Sequence, residues 1–188
     1  LFLVALYTGM RQGELLGLPW DAVDFKAHTI RVYQQIVLIE TAPNRYERRL
    51  SSPKSGKERT FKAAPAVMDI LREERAAQNG IRLIAGKTWA DSGFVFTDQL
   101  GRGLPRNTVY EHFRRAAAAA GCPDARFHDL RHTFACSALE SGVSPKAVSE
   151  MLGHASVAFT LDVYGHFTKR LAEDSADKME NFIQNLAK

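Results

Sequence analysis

Cysteine is scarce in this 188-residue chain: only Cys122 and Cys136 are present. Two cysteines build no disulfide framework and offer no pair spaced for a metal, a usage that fits a reducing compartment and leads us to expect the cytoplasm. Long apolar runs are missing too. The opening "LFLVALYTGM" stops at Arg11, about half the ~20 residues needed to cross a bilayer, and no basic segment precedes it, so neither a membrane span nor a signal peptide is read there. A core helix clipped at its start is expected instead, and without an initiator Met the chain reads as an excised piece. Internal repeats and a long dividing linker are also lacking, while 45% hydrophobic residues suffice for a core and argue against disorder.

Net charge, at +4, is modest, but it is unevenly spread. Residues 44–62, "NRYERRLSSPKSGKERTFK", hold seven Lys or Arg against two Glu, so that the rest of the chain carries a net −1. A local positive field is what a nucleic-acid contact needs, although a solvated hairpin tip would look the same.

The pattern predicts an α+β chain, mainly α. Gly9 closes the first helix and a second, "QGELLGL", runs to Pro19, which places Arg11 at a tight joint. From Thr29, "TIRVYQQIVLI", "RRLSS" and "ERTFKA" predict a small three-stranded antiparallel sheet, with Lys54 in the Pro53–Gly56 turn between the second and third strands. A helix from Pro65 to about Asn79 follows, then a buried "FVF" at 94–96. Asn107 is the expected N-cap of "TVYEHFRRAAAAA", which Gly121 and Pro123 end. Beyond it come a helix reaching about Ser141 with Phe127, Leu130, Phe134 and Ala138 as its core face, and a short one with Ser144 as N-cap that ends at Gly153. A helix from near Ser156 carries Val157, Thr160, Leu161 and Tyr164 on one stripe, and a last amphipathic helix is predicted over 169–186.

"RFHDLRHTF", at 126–134, admits two readings. His128 and His132 with Asp129 between them approach the H-E-x-x-H zinc helix, but the aspartate is a methylene short, a third ligand is needed, and Arg131 would set a cation beside the dication. Alternatively, Arg131 offers a planar, permanently charged fork to phosphate oxygens, with His128 three residues away on the same face. Such a pair alone is common on solvated surfaces, so a wider set of residues has to decide.

That set exists. "TGMRQGELLGLPWDAVDF" at 8–25, "HDLRHTFA" at 128–135 and "LGHASVAFTLDVYGH" at 152–166 resemble, in order and spacing, the three boxes of the tyrosine recombinases, or phage integrases, and span most of the chain. The resemblance implies an integrase-type catalytic domain over residues 1–188, without the N-terminal core-binding domain that such proteins usually carry. It implies that Arg11 and Arg131 bind the non-bridging oxygens of a scissile DNA phosphate, that His128 and His154 complete the pocket, and that Tyr164 is the nucleophile. Lys54 matches the lysine of the hairpin turn, with Lys57 as its rival. Arg48, Arg49, Lys57 and Arg59 are expected to touch DNA along the hairpin.

The chemistry suits these residue types. Two arginines stabilise charge growing on a phosphoryl transition state. Tyrosine, with an ordinary pKa near ~10, needs a base or a cationic neighbourhood, which the arginines and His128 would supply. Attack would leave a 3′-phosphotyrosyl link and expel a 5′-hydroxyl that Lys54 protonates, with no cofactor and no metal. The implied partner is double-stranded DNA at a specific site in the bacterial nucleoid, met by a homotetramer that exchanges its C-terminal helices or folds them back. Singly, each residue has a plainer reading: Tyr164 as core, His154 as a cap, Arg11 as a surface partner of Glu14, His132 as structural support. A DNA-binding module without activity and a zinc hydrolase stand as the alternative functions.

Overall fold

The computed structural model describes residues 1–43, 45–54 and 56–164. The predicted 169–186 helix and its exchange lie outside them. The architecture is mainly helical with small antiparallel sheets, as the sequence predicts. In chain order the main elements are α1 (Phe2–Thr8), α2 (Gln12–Leu16), β1 (Val23–Asp24), β2 (Thr29–Val32), β3 (Gln35–Ala42), β4 (Arg45–Ser51), β5 (Arg59–Lys62), α3 (Pro65–Ala85), α4 (Arg106–Ala119), α5 (Asp129–Glu140) and α6 (Pro145–Leu152). Residues 157–164 form one more helical stretch. Among the described residues no helix is long and apolar enough to cross a membrane.

The three-stranded sheet has the order β1-β2-β5, while β3 and β4 pair only with each other. The single strand expected over 29–39 is therefore broken at Tyr33–Gln34. Gln34 Nε2 donates to the Gly17 carbonyl at 2.8 Å, which diverts the chain onto the end of α2 and sends β3–β4 out as a separate ribbon. Every residue of β4 is exposed, so the ribbon carries its charge in solvent. Arg48 Nη1 holds it to the body through the Gly103 carbonyl at 2.8 Å.

Three helix details differ from the sequence pattern. First, α3 runs through Gly80 to Ala85, because Gln78 anchors it: Nε2 donates to the Phe94 and Val95 carbonyls and to Thr97 Oγ1, and Oε1 accepts from Trp20 Nε1. Second, the N-cap of α4 is Pro105 rather than Asn107, and Arg106 Nε reaches Gln12 Oε1 at 3.1 Å. Third, α5 buries Arg131, Ala135 and Leu139 rather than the stripe through Leu130, Phe134 and Ala138. Phe127 is buried, but ahead of the helix, stacked edge-on with Phe2 and Phe113.

Apolar burial divides into two clusters. One unites α1, α2, the three-stranded sheet, α3, the buried Val95 and Phe96, and α4. The other joins Ala135 and Leu139 of α5, Val148 and Leu152 of α6, and Tyr164. The seam between them runs where α1 meets α5, at Gly9. There φ is +63°, and a Cβ would collide with Leu152 and Phe134, so glycine serves both the left-handed helix end and the close approach.

Candidate active site

Helix ends build the site. α1 ends at Gly9 and α6 at Gly153, whose φ of +66° is left-handed, and both leave carbonyls that no further helical turn satisfies. Arg131 lies between them, 4% exposed. Its Nη1 donates to the Gly9 carbonyl and its Nη2 to the Leu152 carbonyl, each at 2.7 Å. A cation is favoured at helix C-termini, which explains why a charged residue occupies the buried face of α5. Burial, then the neighbouring Arg11 charge, lowers its pKa to about 9, so it remains charged at neutral pH.

Arg11 precedes α2 and is tied down by Glu14. The carboxylate, fully buried, accepts from the Arg11 backbone N–H at 2.9 Å and from its Nη1 at 3.0 Å. Arg11 Nη2 reaches the Gly153 carbonyl at 3.4 Å. Burial alone would push the Glu14 carboxyl up; the hydrogen-bonded charge of Arg59, then Arg11, overcomes this and holds it below its ordinary value.

Arg59 is the main correction to the sequence expectation. Expected on DNA, it points inward instead, its side chain 9% exposed. Its fork donates to both Glu14 oxygens at 2.9 and 2.7 Å, and its Nε to the Met151 carbonyl at 2.8 Å. A Cβ on Gly153 would meet Arg59 Nη1 at 2.9 Å, so the guanidinium props the turn that presents His154. Its charge answers a buried carboxylate rather than solvent.

Arg11, Lys54, His128, Arg131, Gly153 and His154 line one open cleft of ≈ 350 Å³, with Ala155 and Phe159. Lys54 arrives on the turn closed by the Gly56 N–H to the Pro53 carbonyl at 2.8 Å; of the two turn lysines it is the one at the cleft. His128 stands at the N-cap of α5, open to solvent on one side and packed against His132 on the other. Its pKa is lowered, first by burial against its neighbours and then by the charges of His132 and Arg131. His154 Nδ1 meets Thr160 Oγ1 at 2.7 Å, which leaves Nε2 for the cleft. Burial, then Arg131, Arg11 and Arg59, pushes its pKa down to about 4.

Tyr164 lies beside this cleft rather than in its lining. It is 3% exposed, and its hydroxyl is 3.0 Å from His132 Nδ1. Burial raises its pKa, opposed by the charge of Arg131. On the preceding turns Thr160 is buried as expected, whereas Leu161 is 38% exposed. The sequence reading passed over two participants, Glu14 as a buried anchor and His132 as the tyrosine's partner; both stand inside the motifs "TGMRQGELL" and "HDLRHTFA". The zinc reading finds no support in the arrangement: among the described residues no group of three or more His, Cys, Asp or Glu is placed to hold a metal.

The cleft is an open pocket with Arg11, Lys54 and Arg131 in its lining, carried on a mainly helical domain. The phage integrase family matches residues 1–170, and the chain belongs to that family. It is 33% identical to a tyrosine recombinase XerC-like protein of Caldanaerobacter subterraneus subsp. tengcongensis, over 97% of this chain and 49% of that protein. It is 31% identical to an integrase of Streptomyces ambofaciens, over 96% of this chain and 47% of that one. The chain thus spans about half the length of these curated relatives. Its fold is that of the Tn1549 transposon integrase solved with transposon right-end DNA, at TM-score 0.76 and 23% identity over 95% of this chain and 57% of that one. XerA recombinase is similar at TM-score 0.67 and 24% identity, over 92% and 56% of the two chains.

Proposed function

We propose that this chain is the catalytic domain of a site-specific DNA recombinase that cuts and rejoins strands through a 3′-phosphotyrosyl link. The observation that carries the reading is the convergence of Arg11, Lys54, His128 with Arg131, and His154, from four separate places in the chain, on one cleft. Arg131 and Arg11 hold the non-bridging phosphate oxygens, and their positions are set before DNA arrives by carbonyls and by Glu14, so little reorganisation accompanies the reaction. Tyr164 is the nucleophile, and Lys54 protonates the departing 5′-oxygen. The partner is double-stranded DNA in the bacterial cytoplasm, engaged by a homotetramer on paired sites. Incubation with a nicked suicide duplex carrying the recombination site of its own element is expected to give a detergent-resistant adduct on the 3′-phosphate side, unchanged by chelator. No adduct, or one lost with chelator and restored by zinc, overturns the reading.

Along the hairpin, Arg49 and Lys57 are proposed to meet phosphates. Arg49→Ala and Lys57→Ala are each expected to flatten the slope of log affinity against log salt by about 0.9, equally on specific and random DNA. Arg59→Ala leaves that slope unchanged, since its guanidinium is buried on Glu14. Titrations at several salt concentrations check both statements.

His154 supplies a pH test. Its folded-state pKa, about 4, lies below the unfolded ~6.5, so between these values the unfolded chain binds more protons and stability falls as pH drops. Burial is the larger cause of that lowering, but a phosphodiester in the cleft offsets the charges of Arg131 and Arg11 and so raises the proton affinity. DNA binding near pH 5.5 is therefore expected to take up to about one proton, read from calorimetric enthalpies in buffers of different ionisation heat. His154→Gln should reduce the uptake.

A further inference from the structure

The resting place of the Tyr164 hydroxyl identifies a group that the motif reading treated as support. His132 stands one helical turn after His128 on α5. Its ring meets that of His128 edge-on at a centroid distance of 4.8 Å and that of Tyr164, tilted, at 5.8 Å. His128 lines the cleft and Tyr164 does not, so His132 bridges the phosphate pocket and the nucleophile. Its Nδ1, at 3.0 Å, is within hydrogen-bond reach of the phenol.

We propose that His132, rather than His128, is the base that takes the phenol proton as Tyr164 attacks; this rests on the recombinase reading given above. With the imidazole neutral and its proton on Nε2, the lone pair of Nδ1 accepts the phenol O–H. During attack that O–H bond breaks toward Nδ1, the phenol oxygen forms its bond to phosphorus, and the bond from phosphorus to the 5′-oxygen breaks. The departing oxygen takes a proton from Lys54. An imidazolium, a neutral lysine, a phosphotyrosine and a free 5′-hydroxyl result. When that hydroxyl attacks in return, both protons go back, and the cycle balances without another reactant.

Several ionisable groups face the pair. His128, Asp129, Arg131 and Cys136 do so from α5, and His154 from the loop after α6. Among these, the Asp129 carboxylate is paired with Arg126 at 3.3 Å. Arg131 favours the phenolate over the phenol. Burial of the tyrosine works against its ionisation, which is the condition under which a base in contact matters most.

The test is single-turnover cleavage of the suicide duplex over a range of pH. His132→Ala and His132→Asn are both expected to lose about 10²-fold near neutrality at unchanged DNA affinity, Asn because an amide can sit near the Nδ1 position but cannot take the proton. Their rates should go on rising at pH values where the wild type has levelled off. An Asn variant within threefold of wild type, or variant profiles parallel to the wild-type one, overturns the proposal. Should the variants fold poorly, 3-fluorotyrosine at position 164 in the otherwise unaltered protein decides. An unmoved pH inflection supports a base, whereas an inflection displaced downward with the lower pKa of the fluorinated phenol means that the tyrosine ionises beforehand and overturns it. Tyr164→Phe separates the two levels: if it still forms the adduct, the nucleophile assignment itself falls.

Discussion

Tyr164→Phe is expected to abolish the covalent adduct, a loss of about 10⁴-fold or more, while leaving the domain folded and able to hold DNA. The side chain packs with Ala135, Leu139, Val148 and Leu152, a surrounding that a phenylalanine ring fills equally well. The substitution removes one oxygen and one contact, to His132 Nδ1, at a cost of about 1 kcal/mol. Arg11, Arg131, His128, His154 and Lys54 keep their places at the cleft, so phosphate affinity should change little. A denaturing gel of the suicide reaction, with filter binding alongside, measures both quantities. Adduct at the wild-type level would place the nucleophile elsewhere.

Arg59→Ala is expected to destabilise the fold by about 3–5 kcal/mol, because it leaves the buried Glu14 carboxylate short of its bidentate partner. For a chain of this size that corresponds to a fall in Tm of roughly 6–20 °C. Arg11 still pairs with Glu14 through Nη1, but it must then share its role in the cleft with sole charge of the carboxylate. Pairing Arg59→Met with Glu14→Gln should recover part of the loss, since no uncompensated charge then remains inside. The pH dependence carries the same signature. Glu14 is held below its ordinary pKa, so its contribution is present above the unfolded value near ~4.3 and is lost as pH falls through the folded one. In Arg59→Ala that acid limb should move to higher pH. Thermal melts over a range of pH test this; a variant within about 1 kcal/mol of wild type would return Arg59 to the surface set.

Much of the fold was legible because local chemistry wrote it. Gly9 and Gly153 mark helix ends where only a left-handed residue continues the chain, and Ser144 caps α6 through the Ala147 N–H at 3.2 Å. The "FVF" fragment is buried as expected at Val95 and Phe96. Boundaries failed where a distant partner intervened. Gln34 broke a strand through a carbonyl seventeen residues away, and Gln78 carried α3 forward through a loop that the helix pattern does not contain.

The site divides along the same line. That Arg11, Lys54, His128, Arg131, His154 and Tyr164 form a set could be read from motif order, and the structure gathers five of them at one cleft. Charge counting could not tell a cation aimed at solvent from one aimed inward, so Arg59 and Arg49 looked alike in the sequence. Only the tertiary structure separated them, because burial and partner geometry depend on β5 meeting α2 and α6. It likewise made Arg131 part of a buried face that periodicity assigned to apolar residues, since two helix-end carbonyls repay its desolvation. By itself the sequence determined which chemical groups are present and which short segments fold locally; the packing of helix ends decided which charges are turned inward, as Arg59 is onto Glu14, and which line the cleft.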